Sequence, residues 1–344
     1  MCGIAGIIHK NAGKDVNIGE QMTAMLQALK HRGPDSTGYA MYGEDNGNNV
    51  VRFKVAEAVD LEGSFDIHAA IEDRVAAVNS RMEDLGAKIV KKESATEYSH
   101  RYEIQFSGDM KKLADFVEDI EGVEILSIGN SLELIKDLGD AAVVSEQYGL
   151  NEFNGTHGIG HTRMATESDV DIRSAHPYWA YPFSDVAVVH NGQLTNYWTN
   201  RRALELKGHR FSSNCDSELI AVYIAERMSQ GKDLESAMKD SVEYLDGVFT
   251  YLVATKDQLG MAKDVMAAKP MVVYEGDDMI ALASEEVAIR TLFDHRIETF
   301  DPYHGEVKVW QNKKKIHLMR WDSIRSSSKV ELSRNFSRLM KVQT

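Results

Sequence analysis

Short apolar runs alternate with amphipathic stripes along most of this chain, a pattern that stacked sheets with helices on their outer faces can bury. Ile4 to Ile8 predicts a short buried strand. Asn17 then opens a helix whose apolar face is Ile18, Met22, Met25, Leu26 and Leu29, and Gly33-Pro34 stops it. Tyr39-Ala40-Met41-Tyr42 follows as a strand. Beyond residue 150 the texture resumes with a strand at 186–189 and a helix from Thr195 through Leu206. A second helix runs from Ser217 to a stop at Gly231, and a third carries Leu234, Met238, Val242 and Leu245. Strand-like runs at 248–254, 271–274 and 279–283 complete the pattern, with no internal repeat.

Residues from about 51 to 130 have a different texture. A strand at 51–55, a helical stripe from Ile67 to Leu85, strands at Ile89-Val90 and Tyr102/Ile104/Phe106, a helix over Leu113 to Ile120 and a strand through Ile125 and Ile128 give the order βαββαβ. That order is the small ferredoxin-like unit. Its charged helical faces, and its lack of cysteine, glycine-rich loop or clustered histidine, favour packing or docking over chemistry, with a small-molecule sensor as the other reading.

The composition excludes several classes. With 43% hydrophobic and 27% charged residues the chain has enough apolar content for a sizeable core. No run approaches the roughly 18 apolar residues of a membrane span, and no basic-then-apolar leader is present, so a cytoplasmic location is expected. Two cysteines, Cys2 and Cys215, offer no disulfide framework and no thiolate metal cluster, so neither cofactor nor metal is expected. The net charge of −14 argues against nucleic acid as partner. Residues 312–344 run the other way: nine Lys/Arg against Asp322 and Glu331 make a local +7, leaving −21 elsewhere. Such a tail is either a solvated end or a dock for an acidic partner surface.

The candidate chemistry begins at Cys2. Removal of Met1 puts a thiol and an α-amine on one residue, and an amine of pKa about 7.7–8.0 is a base that cannot leave its own nucleophile. The same cysteine could instead simply begin the first buried strand. His161-Thr162-Arg163-Met164-Ala165-Thr166 offers an arginine at a strand end, suited to a bidentate carboxylate contact or to a surface ion pair. In His190-Asn191-Gly192, an asparagine amide and a glycine N–H can face the oxyanion formed when a thiolate adds to a carboxamide. Asn-Gly is equally a common tight-turn pair. Asp216, in Cys215-Asp216-Ser217-Glu218, can cap a helix or pair with a substrate ammonium, and Cys215 beside it reads as packing.

Taken in order, these segments resemble the class II glutamine amidotransferase domain. The resemblance covers Cys2-Gly3-Ile4-Ala5-Gly6, His31-Arg32-Gly33-Pro34-Asp35-Ser36, the Arg163 segment, Ala175-His176-Pro177, His190-Asn191-Gly192 and Cys215-Asp216-Ser217-Glu218. It continues through Leu245-Asp246-Gly247 to Ala283-Ser284-Glu285. It implies an α+β fold, the four-layer αββα sandwich of the N-terminal-nucleophile hydrolases, over residues 2–50 and 131–311, interrupted by the 51–130 unit and followed by the 312–344 tail. It implies that Cys2 attacks the glutamine side-chain amide, that Asn191 and Gly192 form the oxyanion hole, that Arg163 binds the α-carboxylate and Asp216 the α-ammonium, and that Arg32 and Thr166 shape the pocket. Met164 departs from the family, where an aromatic residue often follows the arginine.

The stretches Thr195-Asn196-Tyr197, Leu245-Asp246-Gly247-Val248-Phe249 and Lys269-Pro270-Met271 look closest to the glutamate-synthase branch. No module for an ammonia acceptor accompanies them. The resemblance thus implies a stand-alone glutaminase subunit that supplies ammonia to a separate flavin-containing synthase related to glutamate synthase or N-methylglutamate synthase, with homo-oligomerisation left open. Two alternatives remain: a non-catalytic glutamine-sensing or assembly subunit, and an N-terminal-nucleophile hydrolase of another amide. Deletion of the 51–130 unit is expected to spare glutamine hydrolysis but to disturb assembly.

Overall fold

The computed structural model describes residues 2–11, 16–57, 60–61, 66–164 and 172–313. The chain opens with β1 (Gly3–His9), α1 (Ile18–Ala28) and β2 (Ser36–Tyr42). It continues with β3 (Asn49–Lys54), α2 (Asp66–Asp84), β4 (Lys88–Ser94), β5 (Ser99–Gln105), α3 (Met110–Glu118) and β6 (Glu124–Gly129). After these come β7 (Leu132–Leu138), α4 (Ala141–Tyr148), β8 (His157–Arg163), β9 (Tyr178–Trp179), β10 (Ala187–Leu194), α5 (Tyr197–Glu205), α6 (Asp216–Ser229) and α7 (Leu234–Tyr244). The last elements are β11 (Gly247–Ala254), β12 (Gln258–Lys263), β13 (Val272–Glu275), β14 (Met279–Ala283), α8 (Glu286–Arg290) and β15 (Val307–Gln311).

Two antiparallel sheets form the middle layers. One runs β13-β14-β1-β8-β2-β7, the other β15-β12-β11-β10-β9. Successive side chains of a strand point to opposite faces, so β1 serves two cores at once. Ile4 and Ile8 pack between the sheets with Val189 and Leu252, whereas Ala5 and Ile7 pack outward against Met22, Met25 and Leu26 of α1. Burial on both faces explains why β1 reads as a continuous apolar run. Helices α1, α4 and α8 cover the first sheet, and α6 and α7 cover the second. The result is the expected α+β arrangement of four layers, αββα. Helix α1 starts where expected, with the Asn17 side chain accepting from Glu20 N at 3.0 Å.

The βαββαβ segment folds into a third sheet of order β4-β5-β3-β6, the ferredoxin-like arrangement, with α2 and α3 packed on it. Its core is continuous with the core between the two larger sheets. Buried charge crosses the same boundary. Arg52 donates to Glu133 at 2.6 and 3.0 Å, Arg101 donates to Glu133 at 2.9 Å, and the Tyr98 hydroxyl donates to Asp137 at 2.7 Å. Where the chain returns from β6 to β7, the buried Asp185 carboxylate accepts from the backbone N–H of Asn130, Ser131 and Leu132 at 3.0, 2.8 and 2.8 Å. Residues 314–344, most of the basic tail, lie outside the described residues. Among the described residues no helix is long and apolar enough to cross a membrane.

Candidate functional site

β1, β8 and β10 converge at one end of the two packed sheets. Gly3 pairs with Thr162 and Ile4 with His161, which brings the residue before β1 beside the end of β8. From the second sheet, the Asn191 Nδ2 group donates to the Cys2 carbonyl oxygen at 3.1 Å. Around this junction opens a cavity of about 500 Å³, within the usual size of a small-molecule site, lined by Cys2, Arg163, Asn191, Gly192 and Asp216 among others. Five of the seven residues proposed from sequence therefore share one cavity. Arg32 is not among its lining residues; its guanidinium pairs with Glu285, which also meets His31 at 3.1 Å. Thr166 lies outside the described residues.

Local geometry narrows the readings left open by the residues alone. Arg163 ends β8 and is 7% exposed, so a surface ion pair is not its setting. Asn191-Gly192 makes no tight turn, since both lie within β10, paired with Thr250 and Phe249. Gly192 holds φ +152°, and a Cβ there would come within 2.2 Å of the Val248 carbonyl oxygen, so only glycine fits. Asp216 begins α6, yet its Oδ2 accepts from Leu194 N on β10 at 2.7 Å instead of capping its own helix. Its carboxylate is thereby drawn to the cavity wall beneath β10.

Three buried imidazoles, those of His161, His176 and His190, line the cavity behind these groups. The rings of His161 and His176 lie 4.0 Å apart between centroids. Burial, followed by the nearby His190 and Arg163, pushes His161 down to about 3. Burial and the neighbouring imidazoles of His161 and His190 push His176 in the same direction. The pair thus stays neutral at ordinary pH. Asp216 is the opposite case: burial raises its carboxyl, but His190, whose Nδ1 is 3.6 Å away, together with the Leu194 and Ser217 hydrogen bonds, outweighs burial and holds it below the usual range. Cys215 packs against this cluster, with Sγ 3.6 Å from His176 Nε2, and burial followed by the Asp216 charge raises its thiol. It is therefore a poor rival to Cys2 as nucleophile.

Sequence reasoning assigned no role to the three histidines or to Glu218, although all four stand in the quoted motifs. Glu218 is fully buried and accepts from the N–H and hydroxyl groups of Ser212 and Ser213 at 2.6 to 2.9 Å, which fixes the turn leading into Asp216. Among the described residues no group of three or more His, Cys, Asp or Glu side chains is arranged to hold a metal ion.

Cys2 at the sheet end, the Asn191 carboxamide and Gly192 beside it, and Arg163 and Asp216 thus line one cavity where the two sheets meet. A family model described as "Glutamine amidotransferase domain" matches residues 161–291. The chain is 39% identical over 312 residues to a protein of Methanothermobacter thermautotrophicus named "Putative glutamine amidotransferase", covering 90% of this chain and 100% of that one. It is 33% identical over 316 residues to glutamine amidotransferase-like protein GlxB of Rhizobium meliloti, covering 91% and 99%. The solved glutamine phosphoribosylpyrophosphate amidotransferase from B. subtilis, complexed with ADP and GMP, shares the fold with TM-score 0.55 and 18% identity over 91% of this chain and 48% of that one. The chain belongs to the class II glutamine amidotransferases.

Proposed function

We propose that this enzyme hydrolyses glutamine to glutamate and ammonia through a thioester on Cys2. Once Met1 is removed, the Cys2 α-amine accepts the thiol proton and Sγ adds to the side-chain amide carbon. The negative charge that develops on the amide oxygen meets the second N–H of the Asn191 amide and the Gly192 N–H. Collapse returns the proton to nitrogen, expels ammonia and leaves the acyl group on sulfur; water then cleaves the thioester to glutamate and free Cys2. Arg163 binds the α-carboxylate and Asp216, ionised across the neutral range, binds the α-ammonium, so both ends of the amino acid meet opposite charge. The observation that carries this reading is the 3.1 Å contact between Asn191 Nδ2 and the Cys2 carbonyl, which joins oxyanion donor and nucleophile across two sheets.

In the same proposal residues 2–50 and 131–311 make up the amidotransferase domain, and ammonia passes to a separate, flavin-containing synthase of the glutamate-synthase or N-methylglutamate-synthase kind. The stretches at 195–197, 245–249 and 269–271 support that choice, and the setting is cytoplasmic. Glutamate release by the wild type and by Cys2→Ser, with intact mass before and after a glutamine-like electrophile, tests the chemistry. Activity that survives Cys2→Ser, or a fully active chain that keeps Met1, rejects the mechanism. Co-purification with a flavoprotein tests the partner.

A further inference from the structure

Both chain segments that wall the cavity on the α6 side are tied by charge to the ferredoxin-like unit. Lys136 on β7 is 4% exposed, and its Nζ donates to the carbonyl oxygens of Arg173 at 3.3 Å and Ala175 at 3.2 Å. These residues bracket Ser174 and precede His176, two groups of the cavity wall. The carboxylate facing the Lys136 ammonium comes from β6: Glu124, 7% exposed, with Oε1 3.7 Å from Nζ and Oε2 4.0 Å from Arg173 Nε. The second tie runs through Arg210. It pairs with Glu118 of α3, lies 3.4 Å from Asp115 and stacks 4.6 Å over the Tyr181 ring, whose hydroxyl also meets Asp115. Arg210 stands just before the Ser212-Ser213 turn that Glu218 clamps ahead of Asp216.

We propose that the ferredoxin-like unit is a positioning element of the glutamine site, with Glu124 acting through Lys136 and Glu118 acting through Arg210 to hold the wall segments that carry His176 and Asp216. Removing one member of a buried pair strands its partner's charge in a dry interior. Lys136, which burial already pushes below the ordinary lysine value, can relieve that by turning away from the two carbonyls it holds or by losing its proton, and either change loosens its hold on the wall. The unit is thus part of the binding site's frame, and its deletion weakens glutamine binding instead of sparing hydrolysis. This inference rests on the proposed glutaminase chemistry of Cys2.

Steady-state kinetics of the full chain tests it, with Glu124→Gln and Arg210→Ala compared with Lys91→Ala on the exposed edge strand of the same unit. Glu124→Gln and Arg210→Ala are expected to raise the glutamine KM by about 3- to 30-fold, the usual span of coupling between linked elements. Their kcat and the rate of Cys2 alkylation by iodoacetamide stay near wild type, and Lys91→Ala changes none of these. A merely structural role predicts lower stability with unchanged KM, and that result in folded Glu124→Gln and Arg210→Ala overturns the proposal. Arg210 is half-exposed, so Arg210→Ala decides alone if Glu124→Gln does not fold. If the wild type releases no glutamate, the Cys2 chemistry is what fails. Calorimetric titration of the same variants with glutamine, in a Cys2→Ala background, then decides the positioning role, and unchanged affinity rejects it.

Discussion

The side-chain amide of Asn191 donates to the main-chain carbonyl of Cys2 across 3.1 Å, so the proposed oxyanion donor is locked to the residue that carries the proposed nucleophile. One of its two N–H bonds is spent on that link and fixes the plane of the amide, leaving the other to be aimed by the same constraint.

Asn191→Ala removes donor and link together. A fall in kcat of about 10²–10³-fold is expected, the typical cost of an oxyanion-hole donor. Glutamate release under saturating glutamine measures it, and a fall below about fivefold argues that the amide serves packing instead.

Arg163→Ala and Asp216→Asn address recognition of the amino acid's two charged ends. Each is expected to raise KM at least ~10-fold, the scale of a lost charge-assisted contact of about 1.5–3 kcal/mol. For Asp216→Asn, glutamine derivatives lacking the α-amine should lose the difference between variant and wild type. If the variant discriminates as strongly as wild type, Asp216 does not read the ammonium.

The buried histidines set a stability limit on the acid side. In the folded chain His161 takes a proton only near pH 3 and His176 is likewise depressed, whereas the ordinary value for both is 6.5. Between those limits the unfolded chain binds more protons, so stability falls as pH drops below the ordinary value, by up to ~1.4 kcal/mol per pH unit for each imidazole. Asp216, whose folded value is lowered, adds its own loss only below its ordinary value of 3.8. Thermal melting between about pH 7.5 and pH 5 should show Tm falling, and His161→Gln should flatten the slope. A Tm independent of pH over that range contradicts the neutral, buried assignment.

Asp185→Ala leaves three backbone N–H groups of the β6–β7 turn without their acceptor. Each such loss costs about 1–3 kcal/mol when buried, so chemical denaturation should show several kcal/mol of destabilisation. Asp185→Asn keeps an acceptor oxygen, and asparagine tolerates the left-handed φ of +57° found there, so its effect should be milder. Equal effects from both variants argue that the negative charge, not the acceptor, holds the turn.

Elements with one clean pattern were legible from the residues alone. β1, α1, β10 and the βαββαβ order followed from apolar periodicity, and the resemblance added the four layers. β7 was not read, because Glu133, Lys136 and Asp137 interrupt its apolar run. All three are buried, and partners distant in sequence neutralise or hydrogen-bond them: Arg52, Arg101, Glu124 and Tyr98. Single-chain periodicity sees charge and infers solvent, while the fold sees paired charge. The histidines escaped for a related reason. Their effect comes from mutual packing between β8, β10 and the segment before β9, which no spacing along the chain encodes. The shared core between the ferredoxin-like unit and the sheets was hidden in the same way, since each half of it is a reasonable apolar face by itself.

The order of strands around β1 has a further consequence during synthesis. β1 precedes both of its neighbours in the sheet, β8 and β14, by more than 140 residues. That strand therefore waits unpaired on the ribosome while the ferredoxin-like unit and helices α1 to α4 are made, so the layer holding Cys2 closes only late in synthesis.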